Sequence, residues 1–280
     1  MGKQQLNNLI HFILLFPLIL NVPETLGEEL YHSTRSIGQA CSMSASPYSI
    51  ISRYDNPAGA GWRTDFGLSV DYYRRFELKE LDSYNFIIFR PISGFGASLH
   101  GYRFGGDLYS IQSLSASISR ISFKRLSTGI KFGKEQLQMK NYGEESRDFL
   151  EMGLLANFKQ ICIGLHTMNL MSTDFQRFTR DNSFSYRISI LLKPNNFVEL
   201  YSESVLYEET DPDFAFGITS QLTKRLQLRV GYHTTLETIH VGLGINSSGL
   251  CFDSGFYHHP DLGWSQAYGM SLGKIDGYDQ

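Results

Sequence analysis

Few residues in this 280-residue chain combine the type and the spacing that chemistry requires. Acyl chemistry at a side-chain nucleophile needs a serine hydroxyl close to a histidine, and a third group to orient the ring. His166-Thr167 and His233-Thr234 place threonine where serine would be needed, and no His-x-Ser pair falls on the apolar rows described below. His258-His259 and Asp211-x-Asp213 carry metal-ligating atoms, but neither completes a ligand set. Cys41, Cys162 and Cys251 cannot all pair and lack zinc-site spacing, so they read as free thiols used as small packing residues. No catalytic residue, metal or cofactor is assigned. What remains is a set of polar residues on one parity of alternating segments: His100, His166, Arg187, Gln227, Arg229 and His240. On an inward face they would either pair with one another and fill space, or bind a carboxylate and line a solute path.

The elements that carry these residues are strands. From Leu226 to Asn246 the apolar residues take every second place: Leu226, Leu228, Val230 and Tyr232, then Ile239, Val241, Leu243 and Ile245. Period two is the β signature, because successive side chains point to opposite faces. The same alternation runs from Asp65 almost to the end of the chain and predicts about fourteen strands, with a phase slip at Arg120–Ile121 that suggests a bulge. Their lengths are close to the ~9–11 residues a tilted strand needs to cross a bilayer.

Composition narrows the class. Hydrophobic residues make up 42% and charged residues 19%, with a net charge of −3, so no basic field exists to attract nucleic acid. Residues 1–27 have the layout of a secretory signal peptide: a polar start with Lys3, the apolar run Leu9–Val22, and small residues before a cut at Glu28. Residues 28–62 are not strand-like and end in Asn56-Pro57-Ala58-Gly59, a turn signature in which Pro57 fixes φ and Gly59 can take a positive φ.

The connections alternate. Every second one is tight, such as Lys124-Arg125 and Lys159-Gln160, while most of the others are longer, including Arg103–Ser113, Leu137–Asp148 and Leu170–Ser183. A meander whose turns are short on one side and longer on the other is expected of an outer-membrane barrel. A soluble barrel would turn its polar row to water, and that row would be rich in Lys, Glu and Asp. Here the row is mostly Gly, Ser, Thr and His, suited to a crowded lumen, while the apolar row suits lipid. Leu226, Leu228, Val230, Ile239, Val241 and Leu243 are therefore expected to face lipid.

Ser33-Thr34-Arg35-Ser36-Ile37-Gly38, then Asn56-Pro57-Ala58-Gly59, then the train of strands closing with His259–Ser265 and Met270–Gly273, resembles the PorV/PorQ branch of the FadL-like outer-membrane proteins. Gln39-Ala40-Cys41 stands where that branch usually has a Gly- and Ala-rich run. The resemblance implies a fourteen-stranded barrel over 63–273, a hatch over 28–62 packed inside it, and a periplasmic tail at 274–280. It makes Arg35, Gly38, Asn56, Pro57, Ala58 and Gly59 the hatch motif. The implied function is non-enzymatic passage of hydrophobic or small solutes through a plugged barrel in a Gram-negative-type outer membrane. A type IX secretion component holding a secreted cargo protein at the surface is the alternative, and a lipid-modifying barrel enzyme a third. The expected partners are outer-membrane lipid and a hydrophobic solute or cargo, with no nucleic acid.

Overall fold

The computed structural model describes residues 32–47, 55–62, 65–173, 184–207 and 211–273. The expected leader at 1–27 and tail at 274–280 lie outside the described residues. Fourteen strands follow one another: β1 Gly67–Arg74, β2 Asp82–Ile92, β3 Phe95–Gly105, β4 Tyr109–Phe123 and β5 Leu126–Met139. Then come β6 Gly143–Phe158, β7 Ile161–Ser172, β8 Ser185–Leu192, β9 Val198–Tyr207 and β10 Asp213–Gln221. The last four are β11 Leu226–His233, β12 Thr238–Ser247, β13 Leu250–His259 and β14 Gly263–Leu272. Each pairs antiparallel with the next, and β1 pairs with β14 from Leu68↔Leu272 to Arg74↔Gln266, closing a barrel. Closure leaves no unpaired sheet edge.

The period of two sorts the side chains. Val230, Ile239, Val241 and Leu243 are exposed on the outer face, with Leu226 and Leu228 half-buried there, while Gln227, Arg229 and His240 point inward and are buried. A continuous exposed apolar band of this kind fits hydrocarbon rather than water. No described helix is long and apolar enough to cross a membrane. Tyr72, Tyr84, Trp264 and Tyr268 cluster on β14, β1 and β2, and Tyr186 on β8 and Tyr232 on β11 lie toward the same end of the outer face, the one with the odd-numbered connections. Short turns close the other end, of two residues at β2–β3, β4–β5, β6–β7 and β12–β13 and longer at 193–197 and 222–225. Ser93-Gly94 and Ser248-Gly249 both have positive φ at each position, the twist that matches flanking strands.

Two expectations about the chain path are corrected. The segments expected as loops at Arg103–Ser113 and Leu137–Asp148 are mostly strand, with breaks only at 106–108 and 140–142. Alternation continues there with its polarity reversed: Tyr102, Phe104, Ile111 and Leu137 are buried inward, and Arg103, Gln112 and Gln136 face out. The outward rung Ile88, Leu99, Ala116, Phe132 and Leu150 is apolar; the next is Phe86, Gly101, Leu114, Lys134 and Asp148; the third is Tyr84, Arg103, Gln112, Gln136 and Ser146. The hairpins rise out of the apolar band as strands. The phase slip falls between Ile121 and Phe123, where the β4–β5 register shifts. Gly59 is not left-handed: it lies in a 3-10 turn, Pro57–Trp62.

The stretches 32–47 and 55–62 lie within the barrel, against its polar face. A short helix, α1 Thr34–Ile37, is capped by Ser33, whose Oγ accepts from the Ser36 N–H at 3.1 Å. It ends where the Cys41 N–H reaches back to the Ser36 carbonyl at 2.8 Å, with Ala40 and Cys41 at φ 53° and 64°. Glycine usually fills such left-handed positions; here Ala40 and Cys41 hold them. The 3-10 turn packs on β3, β4, β5 and β6, and α1 on β12, β13, β14 and β1.

Candidate functional site: the barrel interior

Glycines on the inner wall make room for the N-terminal stretch. A side-chain carbon added at Gly129 would lie 2.5 Å from the Pro57 carbonyl carbon and 2.6 Å from the Ala58 nitrogen. At Gly231 it would lie 2.4 Å from the Gln39 carbonyl carbon, and at Gly255 2.8 Å from the Thr34 oxygen. Gly38 and Gly242 face each other, and an added carbon on either would sit 2.9 Å from the other's Cα. Backbone meets backbone with no side chain between, which only glycine permits.

Asn56 is the pin of the second half. Its Oδ1 accepts from the Ala58 N–H at 2.9 Å, an Asx turn that starts the 3-10 turn at Pro57. Its Nδ2 lies 3.2 Å from the carbonyls of Ser44 and Leu154 and 3.4 Å from that of Leu165, so one amide ties both N-terminal stretches to β6 and β7. The Ser127 hydroxyl donates to the Ala58 carbonyl at 2.8 Å.

Arg35 holds α1. Its Nη2 lies 3.2 Å from Asp253 Oδ2 and 3.0 Å from Cys251 Sγ, and Asp253 Oδ1 is 2.7 Å from Arg229 Nη1. Arg229 Nη2 donates to Gln227 Oε1 at 2.6 Å, and Gln227 Nε2 to Gln221 Oε1 at 2.8 Å. Burial favours the neutral form of Arg35, but the Asp253 carboxylate outweighs it and holds the guanidinium charged, its pKa above the ordinary value. Cys251 also donates to Asp253 at 3.2 Å, so it is a member of this polar cluster and not only a packing residue. All three cysteines are free.

The other polar-row residues are spread around the wall. His240 Nδ1 contacts the Ile37 carbonyl at 2.7 Å; a carbonyl only accepts, so this nitrogen carries the proton and Nε2 accepts from Thr238 Oγ1 at 2.9 Å. The ring stacks on Tyr257 at 4.5 Å. Arg187 lies 3.7 Å from Asp55 and 3.5 Å from Glu203, whose other oxygen accepts from the Ser44 N–H at 3.1 Å. His166 Nε2 lies 3.0 Å from Glu151, which Lys131 approaches to 2.5 Å. His100 Nδ1 is 3.5 Å from the Ser115 hydroxyl, a serine–histidine contact that points into the lumen and away from lipid. No described cluster of His, Cys, Asp and Glu has the form of a metal site.

These residues thus divide into separate clusters. Arg35, Gln227 and Arg229 are one; Arg187 joins 32–47 to residue 55; His240 touches α1; His166 and His100 lie around Lys131 and Glu151. The inward carboxylates Asp71, Glu151, Glu203 and Asp253 were not anticipated. Asp71 accepts from the Thr34 N–H at 2.9 Å. Their signal was available: each takes an inward place in an alternating strand, and inward arginines require partners. Above the N-terminal stretch a cavity of about 40 Å³ remains, lined among others by His32, Cys41, Arg187, Glu203 and Asp213. That is room for roughly three water molecules. Among the described residues, 32–47 and 55–62 occupy the barrel interior against its inner wall.

No family model matches the chain, and no curated protein matches it in sequence. Solved structures match its fold. The Ralstonia pickettii toluene transporter TbuX superposes with a TM-score of 0.64 at 8% identity, over 88% of this chain and 100% of that one. A Pseudomonas aeruginosa FadL homologue gives 0.58 at 10% identity, over 86% and 97%. The Pseudomonas putida toluene transporter TodX gives 0.57 at 10%, over 90% and 98%. At such identities the likeness is one of fold.

Proposed function

We propose that this protein is a non-enzymatic outer-membrane barrel that passes a small or hydrophobic solute past an N-terminal hatch. The observation that carries the reading is the N-terminal stretch filling a closed barrel while held by hydrogen bonds, ion pairs and glycine contacts, all of which can open and re-form. Barrels of the same fold include toluene transporters, which supports solute passage as the use of such an interior. Toluene flux into liposomes carrying the purified protein tests it. Flux above that of protein-free liposomes, raised further by Asn56→Ala, is the expected result; no flux with either protein sinks the reading.

Within this class we place the chain on the PorV/PorQ branch. The placement of Arg35, Gly38 and Asn56–Gly59 at the contacts between the N-terminal stretch and the wall supports it. A surface-held cargo protein co-purifying with the detergent-extracted barrel would move the function from solute passage to secretion.

A further inference from the structure

Two hollows much larger than the interior cavity lie on the outer wall, of about 620 and 630 Å³. The first sits where the outward rungs of β2–β6 pass from apolar to polar. Two consecutive outward positions on a strand are about 7 Å apart. The change from the wholly apolar rung of Leu99 and Phe132 to the polar rung of Arg103 and Gln112 therefore takes two such steps.

Gly101 has no side chain, and the Phe86 ring leans over it to form the floor of the hollow beside Leu114. Arg103 stands one rung above this floor and Lys134 on the floor's own rung beside Leu114; both are exposed, and neither forms an ion pair among the described residues. Asp148 is the register partner of Lys134 but does not line the hollow, and Glu144 is bonded to Gln136 at 3.0 Å. The lining thus holds two cations and no carboxylate beside an apolar floor. Exposed cations over an apolar groove at a membrane boundary complement a phosphate carried on acyl chains.

We infer that this hollow binds a phosphorylated glycolipid of the outer leaflet, its phosphate between Arg103 and Lys134 and its acyl chains along Phe86 and Leu114. The inference rests on reading the barrel as membrane-spanning with its odd-numbered connections outside the cell, and is independent of what the lumen passes. Native mass spectrometry of the detergent-solubilised protein tests it, with bisphosphorylated lipid A, dephosphorylated lipid A and phosphatidylglycerol as probes. The wild type is expected to hold bisphosphorylated lipid A about fivefold more tightly than either other probe. The double substitution Arg103→Gln, Lys134→Gln should erase that preference, and Lys124→Gln, at the opposite end, should keep it. Heat-modifiable gel mobility verifies that each variant is folded. Equal retention of the two lipid A forms, or a preference unchanged in the double variant, overturns the site. Equal retention of phosphatidylglycerol overturns the assignment to a glycolipid. Liposome flux plays no part in this readout, so its outcome and that of solute passage separate cleanly.

Discussion

At the scale of single residues, Asn56 and Asp253 do the most with the fewest atoms. Asn56→Asp keeps the oxygen that caps Ala58 but loses the donors to the Ser44, Leu154 and Leu165 carbonyls. A buried acceptor left without its donor costs about 1–3 kcal/mol, so Asn56→Asp should lower the barrel's unfolding temperature as much as Asn56→Ala does. Heat-modifiable gel mobility against temperature measures this; a clearly milder Asp variant would mean that the cap, not the tether, is the working contact. Asp253→Asn leaves Arg35 and Arg229 sharing a buried site without their carboxylate, at a cost of about 3–5 kcal/mol. Urea unfolding in detergent followed by tryptophan fluorescence is the check. The inward places of Arg229 and His240 follow from parity alone. The pairing of Arg229 with Asp253 does not, because it depends on the stagger of β11, β12 and β13, and local alternation carries no information about stagger.

At the scale of elements, the inner-wall glycines and the outward rungs make opposite demands. Gly129→Ala would drive a methyl group into the backbone at Pro57 and Ala58, and overpacking of this kind costs roughly 1–3 kcal/mol. Gly106→Ala meets only the Glu80 Cα, at 3.9 Å, and should be neutral. Single-channel conductance of the pair reads both effects: the Gly129→Ala protein should leak ions, and the Gly106→Ala protein should not. On the outer face, Val241→Arg in mid-strand should cost about 2–4 kcal/mol of folding into lipid vesicles, against about 0–1 for Gln136→Arg on the polar rung. Strand number was legible because each strand repeats one signal. The rise of β3–β6 beyond the apolar band was not, because the charged residues there look like loop until their parity is followed. The purpose of Gly129 or Gly231 was equally hidden: a glycine on a polar row is featureless until the path of the N-terminal stretch is known.

At the scale of the whole molecule, wall and interior depend on each other. Removing residues 28–62 takes Thr34 from Asp71, Ser44 from Glu203 and Arg35 from Asp253, and opens the lumen. The shortened protein should form a salt-conducting pore in planar bilayers and unfold at lower temperature than the full chain. A shortened chain as tight as the full one would mean that the strands or their loops seal the barrel unaided.

The wall glycines also bear on the order of assembly. Thr34 is bonded to Asp71 on β1, an added carbon at Gly269 on β14 would meet its side chain, and Arg35 is paired to Asp253 on β13, so α1 lies directly behind the seam that closes the ring. A segment fitted this closely, with no clearance at Gly242 or Gly255, is not threaded into a finished cylinder. The expected order is that α1 is seated before β1 and β14 pair, so the closing seam is laid against it.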